Sequence, residues 1–126
     1  LILASRREEH QEDVRLRVMR LIDENSEMSS RQIADKVGIA NGSAYYVLTA
    51  LVKKGFVKLE NFKNSQRKGQ YNYLLTPKGI REKSLLTHRF IDRKRQEFNA
   101  LRAEIECIEE EVGLAEDVSF SESSIR

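Results

Sequence analysis

SSRQIADKVGIANGSAYYVLTALVKKG, residues 29–55, reads as two short helices separated by one tight turn. Ser29 followed three residues on by Gln32 is the capping-box spacing, and Met28 before it can staple onto Ile33. Ile33, Ala34 and Val37 form the inner face of the first of these helices, and Gly38 supplies its exit. The second helix is expected to begin near Asn41, an acceptable cap, and to end at Gly55. Ala44, Val47, Leu48, Leu51 and Val52 recur at helical spacing and make its buried stripe. Two short helices around a glycine-containing turn have helix-turn-helix geometry.

Working outward, residues 8–24 predict a preceding helix, with Val14, Val18, Leu21 and Ile22 on one face. On the other side, FVKLENF and YNYLLT are rich in aromatic and branched residues and bracket a glycine-containing basic tip. They read as an antiparallel hairpin. The fold class is therefore mainly α with a small β-hairpin: a winged helix-turn-helix over residues 8–76. Thr76-Pro77 then opens another helix, with a capping hydroxyl before a proline at the first position. Its pattern holds to about residue 112, and a helix of roughly 35 residues is about 50 Å long. Ile91, Phe98, Leu101, Ile105, Ile108 and Val112 fall on an a/d seam with Lys94 the one polar interruption, which predicts a coiled-coil-like dimerisation helix over 77–112. A parallel pair would set Glu97 against Arg102 favourably and Glu104 against Glu109 unfavourably, so the spacing leaves the direction open. Residues 113–126 read as a polar, disordered tail.

Charge divides sharply along the chain. Its 126 residues carry a net +2, yet residues 29–95 hold fifteen basic and four acidic groups, whereas residues 96–126 hold two and nine. A cationic module of that kind points to a polyanion, most often nucleic acid. The apolar opening LILA is shorter than the apolar region of a signal peptide, and no run approaches membrane-spanning length. One cysteine, Cys107, cannot close an intrachain disulfide and fits a reducing cytosol. With two separated histidines it cannot assemble a zinc site, and neither a Gly-rich phosphate loop nor a nucleophile–base motif occurs. No catalytic residue, metal or cofactor is expected. His10, His88 and Cys107 read as ordinary surface groups.

With the apolar stripe turned inward, the second helix of the pair exposes Asn41, Gly42, Ser43, Tyr45, Tyr46, Thr49 and Lys53. This set is free of acids and also of arginine, so a bidentate guanine contact from it is not expected. Either tyrosine ring could instead pack on a neighbouring element. Arg31 and Gln32 stand at the start of the preceding helix, where a phosphate is usually met. Lys63, Arg67 and Lys68 at the hairpin tip gather charge that repels itself, which a phosphate backbone would explain and a solvated loop would not require. The rival reading is a winged helix that docks proteins through its long helix. Such a module should expose apolar or acidic residues where this one exposes hydrogen-bonding ones. Structured RNA is disfavoured because no stacking platform appears.

Three stretches carry a resemblance: RQIADKVGIANGSAYYVLTALVKKGFVK, the hairpin NFKNSQRKGQYNYLLTPKG, and IREKSLLTHRFIDRKRQEFNALRAEIE. They resemble the MarR-type winged-helix transcriptional regulators, and within them the bacterial subgroup associated with exopolysaccharide gene clusters. The resemblance implies a homodimeric, cytoplasmic, bacterial regulator that binds double-stranded, palindromic DNA. It assigns recognition to Gly42, Ser43, Tyr45, Tyr46 and Thr49 and to the basic residues of the wing. Many such proteins have Ser where this chain has Ala40 and Arg where it has Tyr46. Many also end in two helices that form a dimer core and a small-ligand crevice, where this chain has a single long helix. Any effector is left unassigned.

Overall fold

The computed structural model describes residues 6–61 and 71–123, with the side chains of 61, 71 and 114–123 excepted. Element order is α1 (Arg6–Glu24), α2 (Ser30–Val37), α3 (Asn41–Lys53), β1 (Val57–Asn61), β2 (Tyr71–Leu75) and α4 (Pro77–Ser123). This is the winged helix-turn-helix expected, followed by a long C-terminal helix. Two units divide the chain, the first ending at Arg89 and the second beginning at Phe90. The opening turns of α4 thus belong to the first unit, whereas the sequence divides the chain after residue 76.

The core of the first unit is built from Val18, Met19 and Ile22 of α1, Ile33 and Ala34 of α2, Ala44, Leu48 and Leu51 of α3, Val57 of β1 and Leu86 of α4. On α1 the buried set is wider than the single predicted stripe. Leu16 and Met19 are buried and Leu21 is only partly so, because α1 packs against both α2 and β2. α1 is further tied to α4 by Lys83–Asp23 at 2.6 Å and Arg89–Glu12 at 2.9 Å.

β1 and β2 pair antiparallel, Val57 opposite Leu75 and Leu59 opposite Tyr73. The backbone N–H of Tyr73 donates to the carbonyl of Ser26 at 3.1 Å, which anchors the hairpin to the α1–α2 turn.

The joint between α3, the hairpin and α4 explains the sequence TPKG. Thr76 Oγ1 accepts from the Gly79 N–H at 2.9 Å, capping α4, and donates to the Gly55 carbonyl at 2.5 Å. Lys78 Nζ donates to the Lys54 carbonyl at 2.9 Å and lies over the Phe56 ring. A Cβ on Gly79 would stand 1.9 Å from the Phe56 carbonyl oxygen, so only glycine admits this close approach.

α4 runs to Ser123, past the end expected near residue 112. A glycine inside a helix costs about 1 kcal/mol relative to alanine, and the helix formers on both sides of Gly113 carry the helix through it. Among the described residues no helix is long and apolar enough to cross a membrane.

Candidate nucleic-acid interface

The two helices of the motif are positioned by their ends. Ser29 Oγ accepts from the Gln32 N–H at 3.2 Å, and Gln32 Oε1 accepts from the Ser29 N–H at 2.9 Å, completing the capping box. Gln32 Oε1 is therefore engaged in the cap, which leaves its amide N–H groups and the exposed Arg31 at the start of α2. Gly38 takes the left-handed conformation at φ 82°, and the N–H groups of Gly38 and Ile39 both donate to the Ala34 carbonyl. α3 follows after two more residues.

Asn41 is not its cap. Ala40 holds that position with extended backbone and no side-chain hydrogen bond, and Asn41 is the first helical residue. The turn fixed by Gly38 sets where the chain re-enters helical geometry, and it does so one residue before a better capping side chain. At the other end, the Gly55 N–H donates to the Val52 carbonyl and the Phe56 N–H to the Leu51 carbonyl. With Gly55 at φ 79°, this is a Schellman closure.

α3 buries Ala44, Leu48 and Leu51, with Val47 and Val52 half-buried beside them. Opposite, Asn41, Gly42, Ser43, Tyr45, Tyr46 and Lys53 are exposed, while Thr49 is half-buried. Tyr45 and Tyr46 are 65% and 75% exposed, so neither ring is taken up by packing.

The two rings part company, which their adjacency in sequence conceals. Tyr45, Thr49 and Lys53 share a stripe that borders a groove against the hairpin, closed on the far side by Leu59 and Tyr73. Burial pushes the Tyr73 phenol up from its ordinary value, and the neighbouring Tyr45 adds to the shift. Tyr46, with Gly42 and Ser43, instead borders a cavity of about 530 Å³ between α3 and α1. Arg15 and Lys54 give that cavity a cationic wall beside His10, and Arg15 Nε is buried with no hydrogen-bond partner among the described residues.

Sequence reasoning missed Leu59 and Tyr73 on the wing side and His10, Arg15 and Lys54 on the α1 side. Alternation along β1 and β2 could have found the first pair. The second set depends on how α1 crosses α3 and left no signal.

Arg31 and Gln32 of α2 are exposed with the α3 set, within the same helix-turn-helix. Lys63, Arg67 and Lys68 lie outside the described residues; the strands that flank them are in place. On α4 every apolar member of the seam is exposed, from 39% at Ile91 to 62% at Phe98, with Leu101, Ile105, Ile108 and Val112 between. Cys107 is exposed as expected.

Comparison with known proteins agrees with this architecture. A MarR/EmrR family transcriptional regulator from Acinetobacter sp. ADP1 superposes with a TM-score of 0.58 at 19% identity, covering 68% of this chain and 58% of that one. The PcaV transcriptional regulator from Streptomyces coelicolor, in complex with its natural ligand, gives 0.58 at 22% identity, covering 68% and 59%. Sso10a-2, a DNA-binding protein from Sulfolobus solfataricus, gives 0.56 at 19% identity, covering 75% and 92%. The chain thus spans under two thirds of the length of the first two regulators. No curated protein matches it. Residues 11–58 match the family model described as winged helix-turn-helix DNA-binding, in agreement with the winged helix-turn-helix fold of this unit.

Proposed function

We propose that this protein is a sequence-specific, double-stranded-DNA-binding transcriptional regulator of the MarR type, acting as a homodimer. The observation that carries the reading is the exposed face of α3. It offers Asn41, Ser43 and Lys53 as donors and two uncommitted tyrosine rings, with no acid, inside a winged helix-turn-helix domain. In such a domain this helix enters the major groove and the wing meets the backbone or an adjacent minor groove. Tyr45 and Tyr46 would lie against thymine methyls or sugars. Arg31 and the wing cations would take phosphates and set affinity and its salt dependence.

The exposed seam on α4 is the dimerisation surface in this reading. Two copies would then address half-sites about 34 Å apart. The proposal includes no catalytic step and no cofactor. It places the protein in a bacterial cytoplasm, and the resemblance to the exopolysaccharide-associated subgroup makes promoters of polysaccharide gene clusters the first to test.

The test is fluorescence anisotropy on duplexes enriched from a random pool, against a scrambled control, across a salt series. A selected site bound about a thousandfold tighter than the control, with a steep salt slope, is expected. Binding without preference would reduce the protein to a nonspecific DNA binder. No binding at low salt would overturn the reading.

A further inference from the structure

We infer that α4 pairs with α4 of a second copy in the antiparallel direction, in the register that sets Phe98 opposite Ile108 and Leu101 opposite Ile105. The inference rests on the homodimer reading above and adds the direction, which heptad spacing alone leaves open.

Three observations carry it. First, α4 is one unbroken helix from Pro77 to Ser123, so the seam stays in phase through residues 91–112 and its apolar side chains all stand exposed. Second, the seam contains one cation. Lys94 occupies a d position with its side chain 50% exposed, held in the single chain by Glu97 at 3.2 Å and by the Phe90 ring. Third, charge on the helix is segregated by end. Residues 89–95 hold four basic groups and one acid, whereas residues 104–111 hold five acids and no base.

A parallel pair brings like to like at each of these points. Lys94 would share a core layer with Lys94 of the second copy, where exclusion of water leaves the repulsion between them least screened. Glu104 would face Glu109, and the acidic ends would run side by side. Only Glu97 with Arg102 would gain.

Reversing one helix changes every one of these meetings except on one flank. Lys94 then falls opposite Val112, with Glu109 and Glu111 of the second copy within about a turn of that layer. Arg95 meets Glu109 along the e flank, where Arg102 stands across from Arg102 of the second copy at an exposed, screened position, and the basic segment 89–95 runs beside the acidic end. Along the other flank Glu97, Glu104 and Glu111 oppose one another. They are exposed, so solvent and salt screen them, and Lys94 reaches into that row from the seam. A single polar residue in a heptad core acts in this way to select one pairing among several.

The test is a distance between spin labels in the full chain. Asp92 is exposed and away from the seam, so Asp92→Cys in a Cys107→Ser background carries the label without touching the core. The antiparallel register separates the two labels by about 33 Å along the axis, at about 1.5 Å per residue. A parallel pair brings them within about 20 Å, the width of two packed helices. A dimer by sedimentation with the long distance supports the inference. A dimer with the short distance overturns the direction and leaves the dimer standing. A monomer at the labelling concentration overturns both, while DNA binding is read separately by anisotropy. In the same background Lys94→Leu is expected to add a short-distance population, and a distribution unchanged by it would overturn the role given to Lys94.

Discussion

A methyl group at position 79 has nowhere to go. It would stand 1.9 Å from the Phe56 carbonyl oxygen, and backbone on both sides prevents the retreat that a flexible side chain would allow. Gly79→Ala should therefore lower stability by about 3 kcal/mol, the upper range for overpacking, although alanine is the better helix former by about 1 kcal/mol. A urea midpoint that rises instead would show that the joint is loose. The sequence TPKG makes the helix start legible through Thr76 and Pro77, but not the reason for its glycine, because Phe56 lies on the far side of the hairpin in sequence. Tyr73 gives a second prediction at this scale. Its phenol is raised above the ordinary value of 10.0, first by burial and then by Tyr45. A folded-state value above the unfolded one means that the neutral phenol's contribution is fully present below pH about 10 and is lost as pH rises through the folded value. Tyr73→Phe should lose less stability than the parent between about pH 9 and about pH 11, read from urea midpoints at the two. An equal loss would remove Tyr73 from the cause.

Between α2 and α3, what could be read from the sequence was what the chain decides locally. Ser29 and Gln32 form the box that their spacing announces, and Gly38 takes the positive φ that ends α2. Asn41 is the counterexample, since residue type favours it as a cap while the turn geometry gives that place to Ala40. The exposed face of α3 was legible for the same reason as its buried stripe, as its complement. Its division into a wing side with Tyr45 and an α1 side with Tyr46 was not, because that depends on which elements border each edge. The hairpin's part in the proposed function is tested by its charges. Replacing Lys63, Arg67 and Lys68 together with alanine should weaken binding to selected and scrambled duplexes alike and flatten the salt slope by about one for each phosphate no longer neutralised. A weakening confined to the selected site would make the tip a reader of sequence instead.

At the scale of the whole molecule, the seam and the winged helix can be separated by experiment because, among the described residues, the buried core of the first unit reaches along α4 only as far as Leu86. Ile105 lies well beyond it, 46% exposed, so a charge there removes no buried side chain from the domain. Ile105→Glu should yield a monomer by sedimentation with the thermal unfolding of the winged helix unchanged. If two domains must engage two half-sites, the variant should also lose at least about tenfold in operator affinity, since the second domain is no longer held near its half-site at high effective concentration. Affinity for a single half-site should stay as it was, which separates loss of avidity from damage to α3. A monomer that keeps full affinity for the complete operator would mean that one winged helix reads the site alone, and the exposed seam would then need a partner other than a second copy of this chain.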